Sequence, residues 1–76
     1  MKNRIKELRE DKDIKQIVLA NYLGIKQNSY SQIENQTNEI KVYYLIKLAE
    51  FYNTSTDYIL GLTDETKPYP KTKKQI

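Results

Sequence analysis

Residues 16–34 read Q-I-V-L-A-N-Y-L-G-I-K-Q-N-S-Y-S-Q-I-E, and the reading of this stretch decides the fold. Leu19, Ala20 and Leu23 recur at helical spacing, Gly24 follows as a residue that tolerates a left-handed backbone, and Ile25 turns the chain back towards a core. A second helical pattern begins at once. On a wheel advancing about 100° per residue, with Gln27 at roughly 0°, Asn28, Ser31 and Gln32 fall near roughly 100°, 40° and 140°, whereas Tyr30 and Ile33 fall near roughly 300° and 240°. One face is apolar and packs inward. The other carries amides and a hydroxyl without a charge.

Two helices joined by so short a turn cross steeply and leave one face of the second standing proud, which is a helix-turn-helix. An amide both donates and accepts, so Gln or Asn on that face suits a base edge in a DNA major groove, where either makes a bidentate pair with adenine. The plainer alternative is an amphipathic pair in a small bundle with no ligand.

Seventy-six residues suit one domain, and a chain of this size buries only about 60% of its unfolded surface. The sequence has no cysteine and no histidine, which excludes disulfides, zinc fingers, thiol nucleophiles and imidazole bases together. No apolar run approaches the roughly 20 residues of a membrane span, and residues 1–5 lack the apolar core of a signal peptide. A soluble cytoplasmic protein without metal or cofactor is expected.

The net charge of +3 is concentrated in the tail: residues 67–76 hold four lysines and no acid, while residues 1–66 hold nine basic and ten acidic side chains. A basic balance is therefore weak evidence for a polyanion partner, and the local distribution decides. From Ile14 to Ile33 there are two lysines, Lys15 and Lys26, and no acid, as a phosphate-facing surface requires.

The rest of the chain reads as three further helices. Residues 2–12 form the first, with Ile5 and Leu8 inward; a second runs from Lys15 or Gln16 to Gly24, and the third is the one on the wheel. Asn35 to Glu39 is a loop by composition. Val42, Leu45, Leu48, Ala49 and Tyr52 make residues 41–52 the central core helix, and Thr54 or Ser55 caps a short fifth helix with Asp57 in its first turn, closed by Leu60 and Gly61. The expected core is Ile5, Leu8, Ile14, Leu19, Ala20, Leu23, Ile25, Tyr30, Ile33, Leu45, Leu48, Ala49, Ile59 and Leu60. The expectation is an all-α, compact five-helix domain over residues 1–63, followed by an extended or disordered Lys- and Pro-containing tail over 64–76.

In these blocks the chain resembles the Cro/repressor-like, or xenobiotic-response-element type, helix-turn-helix DNA-binding family. The matching residues are R-I-K-E-L-R-E at 4–10, Gln16, Leu19, Ala20, Leu23, Gly24 and Ile25, then Ser31, Ile33, Glu34 and Asn35, then Leu45, Lys47, Leu48 and Ala49, and D-Y-I-L-G at 57–61. They cover roughly residues 3–62 in one register. The resemblance implies a lambda-repressor-like fold whose third helix enters the major groove. It implies that Gln27, Asn28, Ser31 and Gln32 read bases, that Gln16, Lys15, Lys26, Ser29 and Asn35 meet the backbone, with Gln16 also bracing the third helix, and that Arg9 and Glu34 form a structural ion pair. Lys15 and Lys26 stand where the family usually has hydroxyl caps, a loss worth on the order of 1 kcal/mol each. Gln36 and Ile40 replace a common glycine and a common proline, so the loop after the third helix departs from the family's shape.

The function expected is a sequence-specific transcriptional regulator, a repressor, that binds a double-stranded DNA operator as a homodimer, because one such helix reads few base pairs. The alternative is a protein-interaction or antitoxin-type module on the same fold, supported by seven tyrosines, of which Tyr43 and Tyr44 are adjacent so that at least one is exposed. A catalytic site is not expected: Glu10, Asp11 and Asp13 are the one carboxylate cluster and read as a solvated helix end. Lys67, Lys71, Lys73 and Lys74 read either as an arm on phosphate or as a solubilising tail.

Overall fold

The computed structural model describes residues 3–35 and 39–70. Five α-helices follow one another: α1 (Ile5–Asp11), α2 (Gln16–Leu23), α3 (Gln27–Glu34), α4 (Val42–Tyr52) and α5 (Thr56–Leu60). Among the described residues there is no strand, and no helix is long and apolar enough to cross a membrane. The all-α five-helix architecture agrees with the sequence reading. The first helix is shorter than the expected 2–12, beginning at Ile5, whose N–H donates to Asn3 Oδ1 (3.0 Å).

Four of the five helices stop in the same way. Asp13, Gly24, Asn53 and Gly61 all sit in the left-handed region (φ 55, 73, 53 and 81°). Around each, two backbone N–H groups fold back on the last turn: Gly24 to Asn21 and Ile25 to Ala20, for example, at 3.1 and 3.0 Å. This paired closure satisfies carbonyls that a helix end leaves orphaned. In the first two cases the next residue, Ile14 or Ile25, packs against the core, so the turn that ends one helix also aims the next.

The buried apolar side chains are Ile5, Leu19, Ala20, Leu23, Tyr30, Ile33, Leu48, Ala49 and Ile59, with Leu8, Ile14, Ile25, Ile40, Tyr44, Leu45, Phe51 and Tyr52 half-buried around them. Two sequence expectations need correction. Val42 is 69% exposed rather than part of the α4 stripe, and Leu60 is only half-buried. The stripe is centred on Leu48 and takes Tyr44, Leu45, Phe51 and Tyr52, all within about 60° of it on the wheel, while Val42 lies about 120° away. Aromatic packing turned the helix: Phe51 meets Tyr22 of α2 and Tyr52 edge-on, with ring centroids at 4.9 and 5.1 Å.

Arg4 closes the other end of the molecule. Its guanidinium donates to the carbonyls of Tyr58 and Thr63, both at 2.7 Å, pairs with Asp64 at 2.8 Å, and lies over the Tyr58 ring, so one cation satisfies the C-terminal end of α5. Residues 64–70 form no helix, and Thr54 Oγ1 donates to Thr66 O (2.7 Å) while the Tyr69 hydroxyl donates to Asp57 (2.6 Å). Lys71, Lys73, Lys74 and Gln36 lie outside the described residues.

Candidate nucleic-acid interface

α2 and α3 pack directly on each other, and the burial pattern of α3 follows the wheel. Tyr30, Ile33 and Glu34 are buried, with exposures of 0, 7 and 4%; Gln27, Asn28, Ser29 and Gln32 are exposed, as is Asn35 just beyond the helix, and Ser31 is half-buried. Lys15 and Lys26 are exposed and occupy the extended position immediately before α2 and α3. Neither helix start has a side-chain cap, and neither first turn holds an acid, so the free N–H groups there keep their positive end undiluted.

What holds α3 against the body is a polar network sealed at the junction of α1, α2 and α3. Arg9 donates through Nε and Nη2 to the two oxygens of Glu34 (2.5 and 3.1 Å), and through Nη1 to the carbonyl of Ile14 (2.7 Å). The pair is bidentate, and its side chains retain 14% and 1% of their exposure. Gln16 Nε2 adds a third donor to Glu34 Oε1 at 3.0 Å, and Gln27 Nε2 donates in turn to Gln16 Oε1 at 3.4 Å. One cation thus ties the end of α1, the loop before α2 and the end of α3 together.

Burial alone would raise the Glu34 carboxyl, but hydrogen bonding to Arg9 and Gln16, with the Tyr30 phenol close by, outweighs it and holds the group below the usual carboxylate range. Two phenols border the pair. Burial, then the Glu34 charge, pushes Tyr52 up to about 12, and burial with the neighbouring Glu34 raises Tyr30 further above its ordinary value. Neither hydroxyl reaches a partner at standard hydrogen-bond geometry.

Residues 5–59 match the helix-turn-helix family. The chain belongs to that family. It is 36% identical over 72 residues to an uncharacterized HTH-type transcriptional regulator, YobD, of Bacillus subtilis (strain 168), covering 95% of this chain and 62% of the relative. It is 36% identical over 64 residues to the HTH-type transcriptional regulator ImmR of the same organism, covering 84% of this chain and 50% of the relative. It is 31% identical over 74 residues to the cryptic phage CTXphi transcriptional repressor RstR of Vibrio cholerae, covering 97% and 66%. The chain therefore spans about half to two thirds of the length of the curated relatives it matches. No solved structure matches it.

Within this helix-turn-helix domain, two features beside α3 escaped the sequence reading. Lys41 stands before α4 just as Lys15 and Lys26 stand before α2 and α3, again with no side-chain cap and no acid in the first turn. Together with Ile25, Ser29, Gln32, Ile33, Glu39 and Tyr44 it lines a cleft of about 330 Å³ alongside α3. The shared signal was in the sequence: α2, α3 and α4 are each preceded by a lysine, whereas α5 is preceded by Ser55, whose Oγ accepts from the Tyr58 N–H at 3.0 Å.

Proposed function

We propose that this helix-turn-helix chain is a sequence-specific transcriptional regulator, a repressor, which acts in the cytoplasm by placing α3 in the major groove of double-stranded DNA. The observation that carries the reading is the outward face of α3: Gln27, Asn28 and Gln32 are exposed, uncharged and able to donate and accept, and they oppose the buried Tyr30 and Ile33. Gln27, Asn28, Ser31 and Gln32 contact bases. Gln16, Lys15, Lys26, Ser29 and Asn35 contact the sugar-phosphate backbone, and Lys41 joins them from the start of α4. The names of the relatives, two regulators and one repressor, support the same reading.

The protein works as a homodimer, since one recognition helix covers too few base pairs for useful specificity. Leu62, 60% exposed at the end of α5, together with Val42 and Ile46 on the free side of α4, offers apolar surface for the second copy. The rival reading, a module whose partner is a protein, rests on the same exposed side chains and on Tyr43, which is 63% exposed while its neighbour Tyr44 is half-buried.

Titration of labelled DNA from upstream of the protein's own gene, at several salt concentrations, separates the two. Phosphate-driven binding falls steeply with salt, with a slope near −0.9 per phosphate contact, whereas an apolar protein interface does not. Loss of sequence preference in the Gln27→Ala, Gln32→Ala double variant supports the assignment, and an unchanged preference refutes it.

A further inference from the structure

We infer that residues 63–70 are a strap that seats α5 and fixes Leu62, so that the folded unit runs on to Pro70, past the boundary at residue 63 that composition suggests. α5 needs such support. Its five residues fall far short of the roughly 12–15 at which a helix stands alone in water, and Ser55 caps only its first turn. The rest comes from outside the helix. At its C-terminal end the Arg4 backbone N–H donates to the carbonyl of Ile59 and the Arg4 guanidinium to that of Tyr58, both at 2.7 Å.

The strap closes on the same helix at three points. The Arg4 guanidinium also reaches the Thr63 carbonyl (2.7 Å) and Asp64 (2.8 Å), so one cation grips the end of α5 and the start of the strap together. Between α4 and α5, Thr54 Oγ1 donates to the Thr66 carbonyl at 2.7 Å; Thr54 is 7% exposed, and a hydroxyl that deep needs a partner. Tyr69 then returns to the first turn of α5, where its hydroxyl donates to Asp57 Oδ2 at 2.6 Å. Both ends of α5 are thereby bridged by one non-helical segment.

The course of the strap is set locally, which keeps the entropy lost in ordering it low. Thr63 Oγ1 accepts from the Glu65 N–H (3.1 Å) and the Glu65 carboxylate from the Lys67 N–H (3.2 Å), which bends the chain after Leu62. Pro68 and Pro70 fix their own φ and push Lys67 and Tyr69 to extended backbone. Pro68, Tyr69 and Pro70 line a groove of about 610 Å³ together with Ile46 and Ala49, so the strap also runs beside α4.

Leu62 sits between two of these anchors. Its N–H donates to the Asp57 carbonyl (2.9 Å), and Thr63 after it is held by Arg4, yet its side chain is 60% exposed. A large apolar group is thus held out in water at a fixed place. Resting on the proposed homodimer, in which Leu62 meets the second copy, the strap governs assembly from outside the helix-turn-helix and leaves α2 and α3 untouched.

The test uses the full chain with Thr54→Val and Tyr69→Phe, singly and together, each of which removes one hydroxyl and keeps the side chain's shape. Amide exchange followed by NMR reads the seating of α5 at Ile59, Gly61 and Leu62, whose N–H groups bond to the carbonyls of Ser55, Tyr58 and Asp57. Relaxation of 15N reads the order of residues 64–70. We expect exchange at these three amides to quicken by about three- to tenfold in each single variant and further in the double, with lower order in the strap and unchanged exchange at Ile25 and Tyr30. Tyr69→Phe is the deciding variant, because Tyr69 lies on the strap and Thr54 does not. Unchanged α5 exchange in Tyr69→Phe overturns the inference, and so does a wild-type segment 64–70 as mobile as a free chain. Sedimentation equilibrium reads assembly, and the dimer dissociation constant of the double variant should rise by on the order of tenfold. A loosened α5 with an unchanged constant overturns the link to assembly. A wild type that stays monomeric overturns the proposed homodimer, and amide exchange then decides the strap by itself.

Discussion

Replacing Arg9 by methionine tests the network that seats α3, and the structure supplies the magnitude. The variant keeps most of the stem but leaves Glu34, 4% exposed, as a carboxylate whose one remaining donor of good geometry is Gln16. Breaking a buried ion pair by removing one partner costs about 3–5 kcal/mol, because the surviving charge stays desolvated. The Ile14 carbonyl loses its guanidinium donor as well. A chain of 76 residues has a total stability of only about 4–11 kcal/mol, so the variant should sit at the edge of unfolding at neutral pH.

The pH dependence gives the test its sign. In the wild type the folded-state pKa of Glu34 lies below its ordinary value of 4.5, so the pair stabilises the fold above pH 4.5 and the benefit is lost as pH falls through the lower, folded value. In Arg9→Met the burial that opposes ionisation goes unanswered, the folded pKa rises above the unfolded one, and protonation relieves the cost. The gap between wild type and variant should therefore narrow from about 3–5 kcal/mol at pH 7 as pH falls to 4, leaving the share due to the Ile14 carbonyl and to wild-type Glu34 that is still ionised there. Urea unfolding followed by circular dichroism at both pH values measures it. A loss below about 1 kcal/mol at pH 7, or an equal loss at the two pH values, would refute the argument that a buried, uncompensated carboxylate is the cause.

Three further outcomes follow from individual contacts. Gly24→Ala should cost about 1–2 kcal/mol in thermal or urea unfolding, from backbone strain at φ 73° alone, since no atom lies within 4 Å of the added methyl; Gly24→Asn should cost less. Tyr52→Phe removes a buried hydroxyl without a partner and should leave stability unchanged or raise it by up to about 1 kcal/mol, while also softening the alkaline unfolding that wild-type Tyr52 promotes as pH rises from 10 towards about 12. Lys26→Ser should supply the missing cap and stabilise α3 by about 0.5–2 kcal/mol in urea unfolding, yet weaken DNA binding alike for all sequences and lower the salt slope by about one contact.

The sequence by itself determined that α2 and α3 exist, where the turn between them falls and which face of α3 looks outward. Those features are local: Gly24 reaches φ 73° because it lacks a Cβ, and the 3.6-residue period separates Tyr30 and Ile33 from Gln27, Asn28 and Gln32 whatever α3 packs on. The same logic misplaced Val42, because a periodic run shows that a helix has an apolar side without saying which neighbour will rotate it; contact of Phe51 with Tyr22 decided that. Arg4 was legible only as a basic residue in a motif, since its value lies in meeting carbonyls more than fifty residues away. The Arg9–Glu34 pair and the bracing of α3 by Gln16 were expected through the family resemblance, whereas the course of the hydrogen bonds from Arg9 through Glu34 and Gln16 to Gln27 belongs to the same class as Arg4. Its members are spread over three helices, and the direction of each amide depends on the charge of a neighbour that only the packed fold brings within 3.4 Å.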